Sequence, residues 1–304
     1  MKMAASVRVW SVFACVLAAM PFAGCRKKAP VTPPVATPSL SLSRSRVPLG
    51  SPLDITYRFA VANDAHFAQD YRVMLHVMDA DGELMWTDDH NPPVPTSSWK
   101  PGQSIEYTRT VFVPVCPYVG EAPLQVGLYS TRDQSRLTMS GADNGQQAYT
   151  VGKLELLPQT ENIFVVFKDG WQPSEVAEHS SRLECSMVEW QWTKKNATIA
   201  FKNPKKDSLV YLDVDNPGGV FTETQTVQIS ADSQPVDSFT LTPGTQLLRK
   251  IPITAQQLGS SDMVVLTIDV DKSFVPALLN PGKSKDPREL GVRVFHAFVE
   301  EKSQ

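Results

Sequence analysis

The chain has 304 residues, of which 42% are hydrophobic and 20% are charged, and its formal net charge is −3. This hydrophobic content excludes a disordered chain, and the lack of a basic excess excludes a general nucleic-acid binder. Because one apolar run alone approaches membrane-spanning length, a polytopic membrane protein is also excluded. The length predicts two folded domains after a targeting segment is removed.

The N-terminus has the pattern of a signal peptide. Lys2 and Arg8 precede an uncharged run, 9–24, that is shorter than the ~20 residues of a spanning helix. The run ends in Phe22-Ala23-Gly24-Cys25, which resembles the bacterial lipobox, although that family prefers Leu where Phe22 stands. The resemblance implies a lipoprotein signal peptide over 1–24 and a lipid on Cys25. The alternative is an ordinary cleaved signal with an incidental thiol.

Residues 25–43 predict a lipidated Pro/Ser-rich tether in extended polyproline II geometry. Arg26 follows the lipidation site, so the Asp that retains enterobacterial lipoproteins in the inner membrane is absent there. By resemblance to those lipoproteins, we expect a lipid-anchored protein of the bacterial cell envelope, at the outer membrane. The leaflet that holds the anchor stays open.

The first predicted domain covers 44–157. Apolar residues alternate in its segments, which is typical of strands, and Asp81-Gly82 predicts a hairpin turn. The predicted strands are 53–59, 73–78, 84–86, 105–113, 124–129 and 149–157. Short strands at this spacing indicate an antiparallel sandwich.

The second predicted domain covers 158–304 and follows a boundary at 158–161. Its predicted strands are 163–167, 188–192, 197–201, 209–214, 226–229, 236–241, 246–251, 263–270 and 290–299. Thr254 and Gly259 are typical of the N-cap and C-cap of one helical turn. The fold class is therefore all-β, with two antiparallel β-sandwich domains, Ig-like and jelly-roll-like.

Two family resemblances rest on specific segments. The first domain contains 75–82, 88–90, 99–102, 126–129 and 136–137, in an order similar to Ig-like modules beside membrane glycosyltransferases of the dolichyl-phosphate mannosyltransferase type. The catalytic membrane part of such enzymes is absent, so no transferase activity is implied. In the second domain, 170–171, Glu175, 190–193 and 286–292 resemble the C-terminal sandwiches of bacterial glycan-related proteins, similar in outline to carbohydrate-binding modules.

A tryptophan cluster in the second domain is a candidate sugar platform, because an indole face matches the apolar face of a sugar ring. Trp190 and Trp192 share one face of a strand, and Trp171 follows Gly170 at a strand end. The alternative is that Trp190 and Trp192 point into the core. We expect Trp171 to be the more exposed.

The loop 286–289 adds polar candidates, because Asp286 and Arg288 can hydrogen-bond sugar hydroxyls. The alternative is an internal salt bridge that pins the loop. The candidate ligand-binding residues are thus Trp171, Glu175, Trp192, Asp286 and Arg288.

The sequence contains no recognised catalytic or cofactor motif, so we expect no cofactor and no catalytic residue. Acidic residues crowd 79–90, but their spacing is not that of a calcium loop, and Asp81-Gly82 is explained as a turn. We therefore expect no metal site.

Cys116 and Cys185 remain after Cys15 leaves with the signal and Cys25 is lipidated. An even number in an oxidising compartment is compatible with a disulfide across the domain boundary or with two buried thiols.

Together these features predict a non-catalytic envelope lipoprotein that binds a ligand, most plausibly a glycan. One alternative is a structural adaptor that docks on an envelope protein, and another is a glycan hydrolase with two facing carboxylates. The expected partners are the membrane and either a glycan or a protein, and not nucleic acid.

Overall fold

A computed structural model describes residues 32–177, 185, 188–279 and 281–302. The predicted signal peptide and Cys25 lie outside the described residues. Residues from Pro34 onward form one compact unit. Strands dominate it, which confirms the all-β prediction. Among the described residues, no helix is long and apolar enough to cross a membrane.

The first sandwich contains a three-stranded sheet of order β1-β3-β6 and a larger sheet of order β2-β9-β7-β4-β5, with β8 paired to β9. This order places A-B-E strands against G-F-C-C′ strands, the Ig-like arrangement. The pairs are antiparallel except β2 with β9, which is parallel. The strands are β1 (Ala36–Leu42), β2 (Arg46–Pro48), β3 (Pro52–Val61), β4 (Arg72–Met78), β5 (Leu84–Thr87), β6 (Ser104–Phe112), β7 (Gly120–Tyr129), β8 (Ala142–Asp143) and β9 (Tyr149–Leu157).

Strand β1 lies inside the range that the sequence analysis gave to the tether. It pairs along its whole length with β3, from Ala36 opposite Val61 to Leu42 opposite Ile55. Pro38 is tolerated because β1 is an edge strand, where a missing N–H need not break a ladder. The chain therefore enters the sandwich earlier than the proline content suggested.

The second sandwich packs two five-stranded antiparallel sheets, of order β10-β13-β18-β15-β16 and β11-β12-β19-β14-β17. Their inner faces share one hydrophobic cluster, which includes Phe201, Leu212 and Ile268. The strands are β10 (Val165–Phe167), β11 (Glu175–Val176), β12 (Glu189–Trp192), β13 (Asn196–Lys202), β14 (Ser208–Asn216), β15 (Gln225–Ala231), β16 (Gln234–Leu241), β17 (Thr245–Ile253), β18 (Met263–Val270) and β19 (Arg293–Glu301).

Two short helices complete this sandwich, α1 (Ala255–Leu258) and α2 (Pro276–Leu279). The Thr254 side chain accepts a hydrogen bond from the Gln257 backbone, and the Gln257 side chain accepts one from the Thr254 backbone. Gly259 closes α1 at a φ of 69°. The predicted caps at Thr254 and Gly259 are thus confirmed.

The predicted hairpin turn in the first sandwich is also confirmed. The Asp79 carboxylate accepts hydrogen bonds from the backbone N–H groups of Asp81 and Glu83, and Gly82 has a φ of +81°. This local bonding closes the turn between β4 and β5, so Asp79 serves the backbone.

The outer face of the three-stranded sheet packs against the outer face of β14, β17 and β19. Lys250 Nζ donates to both carboxylate oxygens of Asp54, at 2.8 and 3.1 Å. The Asn162 side chain, in the connection between the sandwiches, donates to the Leu49 carbonyl and accepts from the Ser51 hydroxyl. These bonds fix the two sandwiches against each other.

A disulfide joins Cys116, between β6 and β7, to Cys185, between β11 and β12. Cys116 is buried in the first core, and Cys185 packs against the same core. The bond therefore ties a loop of the second sandwich to the first.

Candidate functional site

The two candidate tryptophans pack against other side chains and do not form an open surface. Trp192 is 7% exposed and lies edge-on to Phe274, with ring centroids 5.7 Å apart. Trp171 is half-buried against the second core, and its indole N–H donates to the Thr198 carbonyl at 2.7 Å. The arrangement of Trp192 is the core alternative that the sequence left open.

The structure brings the other candidates, Glu175, Asp286 and Arg288, into one network. The Arg288 guanidinium donates to both oxygens of Asp286, and its Nη1 donates to Glu175 Oε1 at 2.8 Å. Hydrogen bonds from Arg288 lower the pKa of the Asp286 carboxyl, and those to Asp286 and Glu175 raise the pKa of Arg288. Trp190 Nε1 completes the network by donating to Glu175 Oε2 at 3.2 Å. These charges satisfy one another, as in the salt-bridge alternative.

An open groove lies elsewhere, between the two sandwiches, and has a volume of about 570 Å³. Strands of both sandwiches form its walls. We call it the inter-sandwich groove, and it is lined by Trp86, Thr87, Asp88, Arg109, Thr110, Val111, Phe112, Pro114, Asp213, Gln246, Leu248 and His296.

The first wall is organised by Asp88, which directly follows β5. Its side chain is 10% exposed and accepts two hydrogen bonds from Arg109, both 2.9 Å long. The Tyr57 hydroxyl donates to the same carboxylate at 2.8 Å. Burial, and then the Asp88 charge, raise the pKa of Tyr57, so this phenol stays a donor. A charged carboxylate is therefore held in place by a matched set of donors.

A histidine supports this wall from beneath. His90 lies with Nδ1 2.8 Å from the Asp88 carbonyl oxygen and with Nε2 2.8 Å from the Tyr107 hydroxyl. Burial lowers the pKa of His90 and raises that of Tyr107. A neutral imidazole that donates through Nδ1 and accepts through Nε2 fits both contacts.

The second wall is centred on Asp213 of β14. Gln246 of β17 donates to both of its oxygens, at 2.9 and 3.0 Å, and His296 Nδ1 of β19 lies 3.1 Å from Oδ2. The Asp213 side chain is 12% exposed, whereas that of His296 is 45% exposed. The carboxylate thus orients an imidazole whose Nε2 edge is turned away from it.

Phe112 joins the two walls. Its ring stacks on His296 with centroids 4.1 Å apart and an interplanar angle of 2°. Tyr211 and Phe298 contact Phe112 edge-on, at 6.2 and 6.4 Å. Because Phe112 covers one face of the imidazole, the exposed part of the His296 side chain lies away from this contact. We call this pair the Phe112–His296 stack.

Sequence reasoning missed this groove. Asp88 was noted only within an acidic segment, and Asp213, Gln246 and His296 were not candidates. Their strands are distant in the chain, and no local pattern indicates that the outer faces of two sheets will meet. The short-range signal that exists is the position of Asp213 and His296 on strands whose alternate residues are core.

The described residues contain no group of three or more His, Cys, Asp or Glu side chains arranged to hold a metal ion. The walls of the groove offer hydrogen bonds, a flat ring surface and charge.

No family model matches the chain, and no curated protein matches it. Solved structures of glycan-related proteins align with it at low similarity. A family GH115 4-O-methyl-alpha-glucuronidase with specificity for decorated arabinogalactans is 15% identical, over 52% of this chain and 20% of that chain, with a TM-score of 0.32.

Two further structures are of carbohydrate-binding modules. One is a carbohydrate-binding module of promiscuous specificity from the β-sandwich superfamily. It is 8% identical over 88% of this chain and 100% of that chain, with a TM-score of 0.24. The N-terminal CBM22-1-CBM22-2 tandem domain of Paenibacillus barcinonensis Xyn10C is 11% identical over 88% of this chain and 93% of that chain, with a TM-score of 0.28. The chain spans about a fifth of the glucuronidase.

Proposed function

We propose that this protein is a non-catalytic, lipid-anchored envelope protein that binds a glycan in the inter-sandwich groove. The observation that supports it is the Phe112–His296 stack, which places a flat ring face beside Asp213, Gln246 and Arg109. Sugar rings combine apolar C–H faces with hydroxyls in their plane. A flat ring bordered by bidentate polar side chains complements both features.

Each wall supplies a different contact. The open face of His296 packs against one sugar ring, while Asp213 and Gln246 on the same wall reach its hydroxyls. Across the groove, Arg109 donates to Asp88 through Nε and Nη2, and its Nη1 would donate to an oxygen of the glycan.

The bonding of the two groove carboxylates favours binding over hydrolysis. Arg109 and Tyr57 donate to Asp88, and Asp213 accepts three hydrogen bonds of its own. A glycosidase needs two carboxyl groups that face the scissile bond, whereas the oxygens of these two carboxylates are hydrogen-bonded to protein donors.

The test is a glycan array followed by titration of intrinsic Trp fluorescence with the glycans that bind. We expect His296→Ala to weaken binding at least tenfold, because it removes the stacking face. His66→Ala is the matched control, because His66 is exposed and lies outside the groove. If no glycan binds, or if both variants lose affinity equally, glycan recognition in this groove is wrong.

The anchor part of the proposal rests on the lipobox-like Phe22-Ala23-Gly24-Cys25. We expect cells to incorporate a labelled fatty acid into the protein, and Cys25→Ala to abolish that label. Fractionation of the cell envelope then assigns the membrane. An unlabelled wild-type chain contradicts the anchor without affecting the groove.

A second candidate function, docking on an envelope protein, is supported by an apolar surface on the second sandwich. Phe164 is 71% exposed, and Val166, Met263 and Val265 are 41%, 46% and 39% exposed. Val166 and Val265 flank Ala200 on the outer face of the sheet, so the patch is continuous there. A photo-crosslinker at Phe164 would capture one stoichiometric partner in cells, and the same group at Gln228, on the polar part of that face, would not.

A further inference from the structure

The charges of the inter-sandwich groove do not balance, and this bears on which glycans it selects. Asp88 is matched by Arg109 within the groove. The neighbouring carboxylates are matched as well, Asp54 by Lys250 and Asp215 by Arg293. The imbalance therefore centres on Asp213.

Asp213 is paired with an amide and an imidazole. In the described part of the chain its hydrogen-bond partners are the Gln246 amide and the His296 imidazole, and neither Lys nor Arg pairs with it. The Gln246 amide carries no charge, so its hydrogen bonds leave the carboxylate charge in place. Because the side chain is 12% exposed, this charge is screened less than a surface charge.

The carboxylate also keeps acceptor capacity. Oδ2 accepts from Gln246 and His296, whereas Oδ1 accepts from Gln246 alone. A carboxylate oxygen can accept two hydrogen bonds, so Oδ1 can receive one more donor. That donor would lie beside the Phe112–His296 stack, where a sugar ring would sit.

We propose that the groove selects glycans that carry a free amino group, with the ammonium on Asp213 Oδ1. This rests on the proposed function and adds the ligand class to it. A sugar hydroxyl gives Asp213 a neutral hydrogen bond, whereas an ammonium gives a charge-assisted bond and also cancels its charge. N-acetylation removes that charge, so an acetylated sugar of the same length binds as a neutral one.

The experiment compares three oligosaccharides of equal length by isothermal titration calorimetry near pH 7: glucosamine, N-acetylglucosamine and glucose oligomers. We expect the glucosamine oligomer to bind about tenfold more tightly than the other two, and added salt to narrow the difference. Asp213→Asn should remove the preference, so that the affinities of this variant for the three oligomers become equal, whatever their absolute value. Asp269→Asn is the matched control, since Asp269 is also held by an amide, that of Asn196, on the other sheet.

A second variant keeps the proposal testable if Asp213→Asn fails to fold. Gln246→Lys leaves the carboxylate in place and supplies a cation beside it, so it should also abolish the preference. Equal affinities for the three oligomers in the wild type overturn the amino-sugar inference and leave glycan binding standing. A preference that persists in both variants overturns it too. Failure of all three oligomers to bind, while other glycans bind on the array, overturns the inference alone, and no binding anywhere overturns the proposed function.

Discussion

Asp88 is a nearly buried charged side chain at the edge of the first core, and its hydrogen bonds contribute to the stability of the fold. It is 10% exposed and accepts hydrogen bonds from Arg109 and Tyr57. Asparagine has the same shape, but it lacks the charge and replaces one acceptor oxygen with a donor. The neighbours then lose partners that water reaches poorly.

We therefore expect Asp88→Asn to lower the free energy of unfolding by about 2–3 kcal/mol, measured by urea denaturation. Glu106→Gln is the control, because Glu106 pairs with Arg58 on the surface, with both side chains about half exposed. The control should cost no more than about 0.5 kcal/mol. Equal losses in the two variants would show that burial of the Asp88 cluster contributes nothing.

His90 makes the same cluster sensitive to pH. Burial lowers its pKa in the folded protein, so below the ordinary histidine pKa of about 6.5 the unfolded chain binds more protons than the folded one. The stabilisation is complete above that value and is lost as the pH falls through it. His76 is shifted in the same direction by burial.

We expect the urea midpoint of the wild type to decrease when the pH is lowered from 7.5 to 5. The decrease should be smaller in His90→Gln. Gln keeps a donor for the Asp88 carbonyl but does not titrate. A fall of the same size in His90→Gln would assign the pH dependence to other groups.

At the scale of elements, Gly170 sets how the segment before β11 meets β13. It has a φ of +80°, and a Cβ built on it would lie 1.9 Å from the Asn196 carbonyl oxygen. Gly82 has nearly the same φ, +81°, but a Cβ there meets nothing within 4 Å. A comparison of alanine variants at the two glycines therefore separates the cost of backbone strain from the cost of close packing.

Gly82→Ala should cost about 1–2 kcal/mol of unfolding free energy, because a left-handed conformation is strained for alanine. Gly170→Ala carries the same strain and a steric overlap with the backbone, so we expect a loss of about 3 kcal/mol or more. Thermal and urea unfolding of both variants measure the difference. If the two losses agree within error, the close approach at Gly170 relaxes without cost.

Alternation of apolar residues was sufficient to locate most strands. The predicted bounds 149–157 and 263–270 are those of β9 and β18. β1 was missed because Pro38 and the prolines that precede the strand favour an extended tether, while the edge position that tolerates Pro38 depends on β3. β2, β8 and β11 were missed because two or three residues are too short for a period to be recognised.

The candidate site was harder to predict than the strands. The sequence does not distinguish a tryptophan that faces the core, as Trp192 does, from one that faces solvent. Arg288 lies two residues after Asp286, so a salt bridge between them could be considered from the sequence. Its bond to Glu175 depends on the loop approaching β11. The inter-sandwich groove depends on Phe112 meeting His296, which is a tertiary contact between sheets and leaves no local signal.

At the scale of the whole molecule, the Cys116–Cys185 disulfide spans a sequence separation of 69 residues. A cross-link that closes a loop of this length lowers the entropy of the unfolded chain by an amount worth about 4 kcal/mol. The bond also ties a loop of the second sandwich to the first core.

We expect the double variant Cys116→Ala and Cys185→Ala to lose about 4 kcal/mol of unfolding free energy, and a dithiol reductant to have the same effect on the wild type. The double variant itself should not respond to the reductant. Mass spectrometry after alkylation, with and without reduction, counts the bonded thiols. A wild-type midpoint that reduction leaves unchanged would contradict the stabilising role.

The inter-sandwich groove takes Trp86 and Asp88 from the early part of the chain and His296 from its last strand. A ribosome that has finished the Ig-like sandwich has made only one wall, and the groove is complete only after β19 has docked on β14. If the groove binds the proposed glycan, proteolytic removal of the final strand would abolish binding even where the first sandwich stays folded.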